Sequence, residues 1–127
     1  MSNARNIASI AGEDVLNASN EIVPVYACRA WVNFDGTNAF SPNPSTSAIR
    51  ASGNVSSITE FGYGNYGVNF ATAMPDANYS AVRSVVLAGN VLIPRGGNTS
   101  SSTLEIYVTD TSNTPVDPLE VHVSVFR

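Results

Sequence analysis

From residue 25 onward the chain alternates with a period of two. Tyr26, Cys28, Ala30, Val32 and Phe34 fall on one face of a predicted strand, and Ala27, Arg29, Trp31 and Asn33 on the other. Asp35-Gly36 closes it as a turn. Residues 37–47 read as a loop carrying Pro42 and Pro44, and residues 49–55 as a short strand. Residues 57–61 and 66–70 flank Gly62-Tyr63-Gly64-Asn65, a hairpin signal. Met74-Pro75-Asp76-Ala77-Asn78 is the next turn. Residues 79–87 are apolar on both faces, which predicts a central strand or one covered twice. Residues 89–102 hold a short apolar piece, 91–93, then a polar loop with Gly96-Gly97.

The C-terminal end has the cleanest pattern. Leu104, Ile106 and Val108 alternate with Thr103, Glu105, Tyr107 and Thr109. Val121, Val123 and Val125 alternate with Glu120, His122, Ser124 and Phe126. The segment between is rich in turn residues, so the pair reads as a long-looped hairpin with one core face. Short strands, frequent turns and no convincing helical period after Pro24 predict an all-β, antiparallel β-sandwich over residues 25–127.

Residues 1–24 follow neither period. Ile7, Ile10, Val15 and Leu16 are isolated apolar anchors among Ser, Asn, Ala and Gly, and Gly12 interrupts any helix. The segment is expected to be an extended N-terminal arm, fastened to a neighbour through those four residues. A terminus without fixed structure is the plainer alternative.

Composition narrows the surface chemistry. Charged residues make up 13% of the 127, against about 25% in an ordinary soluble domain. All six basic residues are Arg, so Ser, Thr and Asn must supply the polar surface. Such a surface suits contact with other proteins, because few charges need desolvating. A formal charge of −4 argues against nucleic acid as a partner. No run approaches the roughly 20 apolar residues of a membrane span, and the first residues lack signal-peptide regions. The Asn-x-Ser/Thr sites at Asn17, Asn54, Asn78 and Asn98 therefore read as products of Asn and Ser richness.

Candidate chemistry is sparse. Cys28 is the one cysteine, and its alternation predicts a small buried residue. His122 is the one histidine and lies on the outward face of the last strand, as a surface group. One His and one Cys far apart do not make a zinc site. The carboxylates Asp35, Glu60, Asp76, Asp110, Asp117 and Glu120 fall mostly at turns or strand ends, without calcium-loop spacing. No catalytic residue, metal or cofactor is expected, and the chain is expected not to be an enzyme. Trp31 is out of place beside Arg29 and Asn33. Either this strand is covered on both sides with Arg29 reaching to the edge, or Arg29, Trp31 and Asn33 meet another subunit.

One run is familiar: Cys28-Arg29-Ala30-Trp31-Val32-Asn33-Phe34-Asp35-Gly36-Thr37. It resembles a module of tail-fibre and other virion structural proteins of tailed phages, especially those of marine bacteria and cyanobacteria. Ala48-Ile49-Arg50-Ala51-Ser52, Asn54-Val55-Ser56-Ser57-Ile58-Thr59, Gly64-Asn65-Tyr66, Val68-Asn69-Phe70 and Ala73-Met74-Pro75-Asp76-Ala77-Asn78-Tyr79 continue the likeness, as does the ending Val123-Ser124-Val125-Phe126-Arg127. It is dense over residues 28–82 and thinner over 83–118. The loop 38–47 is longer than the family pattern, and Gly67 stands where that pattern has a β-branched residue.

The resemblance implies a virion structural protein, made in the host cytoplasm. So short a chain carries no fibre shaft, which favours a free-standing component. The first expectation is a homotrimeric capsid decoration, or cement, protein whose arm binds the major capsid protein or another virion protein. The alternative is a tail-fibre or appendage tip binding a host-surface glycan through loops 37–47 and 94–102, with Phe40, Asn43, Arg95 and Asn98 as contact residues.

Overall fold

The computed structural model describes residues 14–16, 22–24 and 27–127. In the arm, β1 (Asp14–Leu16) and β2 (Ile22–Pro24) pair antiparallel, with Val15 opposite Val23. A strand pair thus occurs in a segment whose sequence shows no strand period; backbone hydrogen bonding supplies it without a side-chain pattern.

The rest of the chain is a sandwich of two four-stranded antiparallel sheets, with no helix among the described residues. Its strands are β3 (Cys28–Phe34), β4 (Ile49–Gly53), β5 (Val55–Gly62), β6 (Asn65–Phe70), β7 (Ser80–Val86), β8 (Ile93–Thr99), β9 (Thr103–Thr109) and β10 (Glu120–Phe126). The first sheet has the order β4-β3-β10-β7 and the second β5-β6-β9-β8.

The four central strands supply most of the core. Ala30, Val32 and Phe34 of β3 and Val121, Val123 and Val125 of β10 face Tyr66, Val68 and Phe70 of β6 and Leu104, Ile106 and Val108 of β9. Ile58 of β5 joins them. Fully burying one such side chain contributes roughly 1.5–3 kcal/mol, so the alternation in these strands supplies the main stabilising term. The Phe34 and Tyr66 rings meet edge to face with centroids 5.3 Å apart.

Asn54 makes the corner between the sheets. The chain leaves β4 at Gly53 and enters β5 at Val55, and Asn54 between them has φ 56°. Asn tolerates this left-handed conformation better than most residues. Its amide also braces the corner. Nδ2 donates to the carbonyls of Arg29 and Thr72, each at 3.0 Å, and Oδ1 accepts the Thr72 N–H at 2.6 Å.

Four sequence expectations need correction. β9 and β10 are not a hairpin: β9 pairs with β6 and β8 in one sheet and β10 with β3 and β7 in the other, so the turn-rich segment between them crosses from sheet to sheet. Cys28 is exposed, because core burial in β3 starts only at Ala30. β7 is an edge strand, paired on one side by β10. Its Val82 remains 61% exposed, while Arg83 shares the core-side face with Ala81 and Val85. Two apolar faces therefore did not mean two covers. Finally, residues 93–99, expected mainly as loop, form β8. Pro94 and two glycines are compatible with a strand at a sheet edge, where one side needs no partner.

Candidate functional site

The exposed face of the second sheet carries a hydrogen-bonded row of polar side chains. Register sets its rows: Ser57, Asn69 and Thr103 are neighbours across β5, β6 and β9, and Thr59, Gly67 and Glu105 form the next row. Asn69 organises the first row. Its Nδ2 donates to Ser57 Oγ at 3.1 Å and Thr59 Oγ1 at 2.9 Å, and Thr103 Oγ1 donates to its Oδ1 at 3.2 Å.

Two register shifts re-aim side chains over these rows, as β-bulges do. The first lies between Glu60 and Gly62, at Phe61. Phe61 leans across Gly67: a Cβ on Gly67 would lie 2.8 Å from Phe61 Cε2. The glycine therefore makes room for the ring, which is still 57% exposed. The second lies between Gly96 and Thr99. There the Glu105 side chain crosses Gly97, and its Oε2 accepts the Asn98 N–H at 2.8 Å.

Between these features lies an open cleft of about 450 Å³, lined by Phe61, Asn98, Thr99, Ser100, Thr103 and Glu105. That falls within the roughly 300–1,000 Å³ of small-molecule sites. Ser100 Oγ is fixed by accepting the Thr103 N–H at 3.0 Å. One aromatic wall, several hydroxyl and amide groups and one carboxylate suit a polyhydroxylated ligand. The lining holds a single carboxylate, whereas two-carboxylate glycoside hydrolysis uses a facing pair. No group of three or more His, Cys, Asp or Glu suited to a metal occurs among the described residues.

The residues singled out in the sequence separate into groups. Asn98 lines the cleft from β8, and Arg95 lies further along the same strand, opposite Tyr107. Phe40 is not a ligand-facing loop residue, which corrects the expectation for it, whereas Asn43 stays exposed on its loop. Phe40 is buried, its ring centroid 5.8 Å from that of Tyr66. Asn43 binds its loop to β5: Nδ2 donates to the Glu60 carbonyl at 2.7 Å and Oδ1 accepts the Glu60 N–H at 2.9 Å. Arg29, Trp31 and Asn33 share the outer face of the other sheet, with Trp31 43% exposed. Of the arm residues, Ile7 and Ile10 lie outside the described residues, and Val15 and Leu16 lie on β1.

His122 Nε2 lies 2.9 Å from Glu120 Oε2, on the outer face of the first sheet. Glu120 and Asp35 both approach Arg50, at 3.8 and 3.4 Å. The Asp35 carboxyl is held below its ordinary value chiefly by the Thr37 hydroxyl hydrogen bond, with the Arg50 charge assisting. This cluster is a half-exposed surface network.

Phe61, Thr103 and Glu105 did not stand out in the sequence as site residues. A faint signal exists in Gly67, whose missing side chain is what admits the Phe61 ring.

The molecule so described is an eight-stranded antiparallel sandwich with a polar, aromatic-walled cleft on one sheet. No protein-family model matches the chain, and no curated protein matches it in sequence. Among solved structures, its fold is similar to the phiAB6 tailspike, determined in complex with three-repeated oligosaccharides of Acinetobacter baumannii surface polysaccharide. The TM-score is 0.52 with 17% sequence identity, over 89% of this chain and 22% of the tailspike chain. At that identity the likeness is one of fold.

Proposed function

We propose that this chain is a tail-appendage module of a tailed bacteriophage, of the tail-fibre or tailspike kind, that binds a host-surface glycan. One observation carries the reading: the shared fold with a phage tailspike spans 89% of this chain. The cleft beside Phe61 supplies a surface of suitable chemistry. The chain corresponds to 22% of the tailspike's length, so a single module is the unit compared. The capsid-decoration reading yields to this one, since its support was size and an arm, which many virion proteins share. A marine or cyanobacterial host rests on the sequence resemblance alone.

In this reading the module is a non-enzymatic binding unit that works as a homotrimer, its arm fastening it to another virion protein. Repetition around a three-fold axis would turn weak single-site binding into firm attachment through avidity. Immunogold labelling of intact particles with antibody to the full chain tests the placement. Gold at the tail or its fibres is the expected result, and gold spread over the head overturns it.

A further inference from the structure

We propose that the cleft on the second sheet is a subsite for one uncharged sugar ring, stacked on Phe61, hydrogen-bonded by Glu105, and selective against acidic sugars. The proposal deepens the glycan-binding reading above and rests on it.

The ring comes first. Phe61 is brought onto a polar sheet face at a register shift, and lies over the bare backbone of Gly67. An aromatic covering a cross-strand glycine is also a known stabilising arrangement. That role uses the side of the ring toward the glycine, yet the residue is 57% exposed and forms a wall of the cleft. The face of an aromatic ring is electron-rich and attracts the weakly positive C–H groups of an apolar ligand surface. A pyranose offers C–H groups on its face and hydroxyls around its rim, which is the division of chemistry found here.

The rim finds oxygen-rich partners: Glu105, Thr103, Ser100, Thr99 and the Asn98 amide. Glu105 is held in place. Its Oε2 accepts the Asn98 N–H at 2.8 Å, and its stem lies against Gly97, so turning away would cost that hydrogen bond. Oε1 is the oxygen left to accept a ligand hydroxyl, a charge-assisted bond stronger than a neutral one.

Charge then selects. Glu105 is the one charged residue lining the cleft, and the chain as a whole carries −4. A uronate or sialate would bring a second carboxylate against it, and like charges at close range repel. Arg95 is the cation nearest along β8, but it sits opposite Tyr107 and does not line the cleft. An uncharged hexose or N-acetylhexosamine meets no such penalty.

Saturation-transfer NMR on the full chain tests this with matched probes: lactose against sialyllactose, and chitobiose and maltose against trigalacturonate. The expected result is transfer to at least one neutral sugar, with its acidic counterpart about tenfold weaker or silent. Phe61→Ala should weaken neutral-sugar binding about tenfold or more. Because that change also uncovers Gly67, the near-isosteric Glu105→Gln provides a second reading. It should weaken the neutral sugar severalfold and narrow the difference between neutral and acidic probes. Acidic probes binding as well as neutral ones, a folded Phe61→Ala protein binding unchanged, or no neutral sugar binding would each overturn the subsite. Particle labelling answers separately: tails labelled without sugar binding sinks the subsite alone, and heads labelled sinks the appendage reading.

Discussion

The phenolic oxygen of Tyr66 lies 2.6 Å from Oδ1 of Asp117, joining β6 to the segment that enters β10. The same carboxylate oxygen accepts the Gly64 N–H at 2.7 Å, and the Tyr66 hydroxyl also lies 2.9 Å from the Gly36 carbonyl. Tyr66 is completely buried. The hydroxyl therefore connects the turn after β3 with the approach to β10, and the Asp117 carboxylate ties in the hairpin before β6. Tyr66→Phe keeps the ring but removes the donor, and should cost about 1–3 kcal/mol in urea unfolding. Burial, reinforced by Asp117, pushes the phenol far above its ordinary value of 10.0. The folded state is thus favoured fully below pH 10.0, and stability should fall as pH rises above it. A wild-type midpoint that is flat from pH 9 to 11 would contradict this.

The corner at Asn54 should be equally sensitive. Asn54→Ala puts at φ 56° a residue that tolerates the left-handed region less well than Asn and removes three hydrogen bonds. The expected loss is about 2–4 kcal/mol. Asn54→Asp keeps the acceptor for the Thr72 N–H and loses both donated bonds, so its unfolding midpoint should fall between the two.

Acid should act on the far end of the chain. Arg127 Nη2 lies 2.7 Å from Asp76 Oδ2, and Arg127 Nε 3.0 Å from Oδ1. These bonds, with the Asn78 N–H, hold the Asp76 carboxyl down to about 2. Because the folded value is lowered from 3.8, the contribution is present above pH 3.8 and is lost as pH falls through about 2. The pair is exposed, so the effect is small. Asp76→Asn should lower the thermal midpoint slightly at neutral pH and converge with wild type near pH 2. Parallel curves down to pH 2 would count against the ion pair.

Cys28 should react without unfolding. It is exposed, although its alternation with Ala30 and Val32 predicted burial. Treating the native chain with Ellman's reagent should release close to one thiolate equivalent without denaturant. Protection that disappears only in urea would mean that another part of the assembly covers it.

Trp31 offers a test of the proposed trimer. It stands 43% exposed on the outer face of the first sheet, in the same cross-strand row as Ser124, Val82 and Gly53. Sedimentation equilibrium at micromolar concentration should give a trimer, and Trp31→Ser should shift it toward monomer while leaving the melting cooperative. A wild-type monomer with red-shifted, fully exposed indole emission would refute the assignment. Gly53→Ala should shift the emission as well, because a β-carbon there collides with the indole.

The alternation Val121-x-Val123-x-Val125 and Leu104-x-Ile106-x-Val108 told which residues face the core before any fold was known. These strands are central, each with one buried face, so local pattern and tertiary environment coincide. Edges broke that agreement. β8 carries Pro94, Gly96 and Gly97 and reads as a loop, because a strand at an edge can lack side chains and a donor. β7 looks central from its apolar faces, yet nothing in those residues records how many neighbours it has.

The binding residues diverged for a related reason. Loop composition pointed equally to Phe40, Asn43, Arg95 and Asn98, but Phe40 entered the core, while Asn43 stays exposed with its amide bonded to the Glu60 backbone. Which polar loop residues remain available depends on what the loop packs against. Local pattern thus sufficed for the all-β class and for the inward faces of the central strands. Those properties reside in short stretches of chain, where a period of two or a turn residue acts locally. Only the tertiary structure decided that Phe61 and Glu105 share a cleft and that Tyr66 meets Asp117. The first depends on register shifts in β5 and β8, and the second on how the segment before β10 packs against the β5–β6 hairpin; both arise between distant segments and leave no mark in either segment alone.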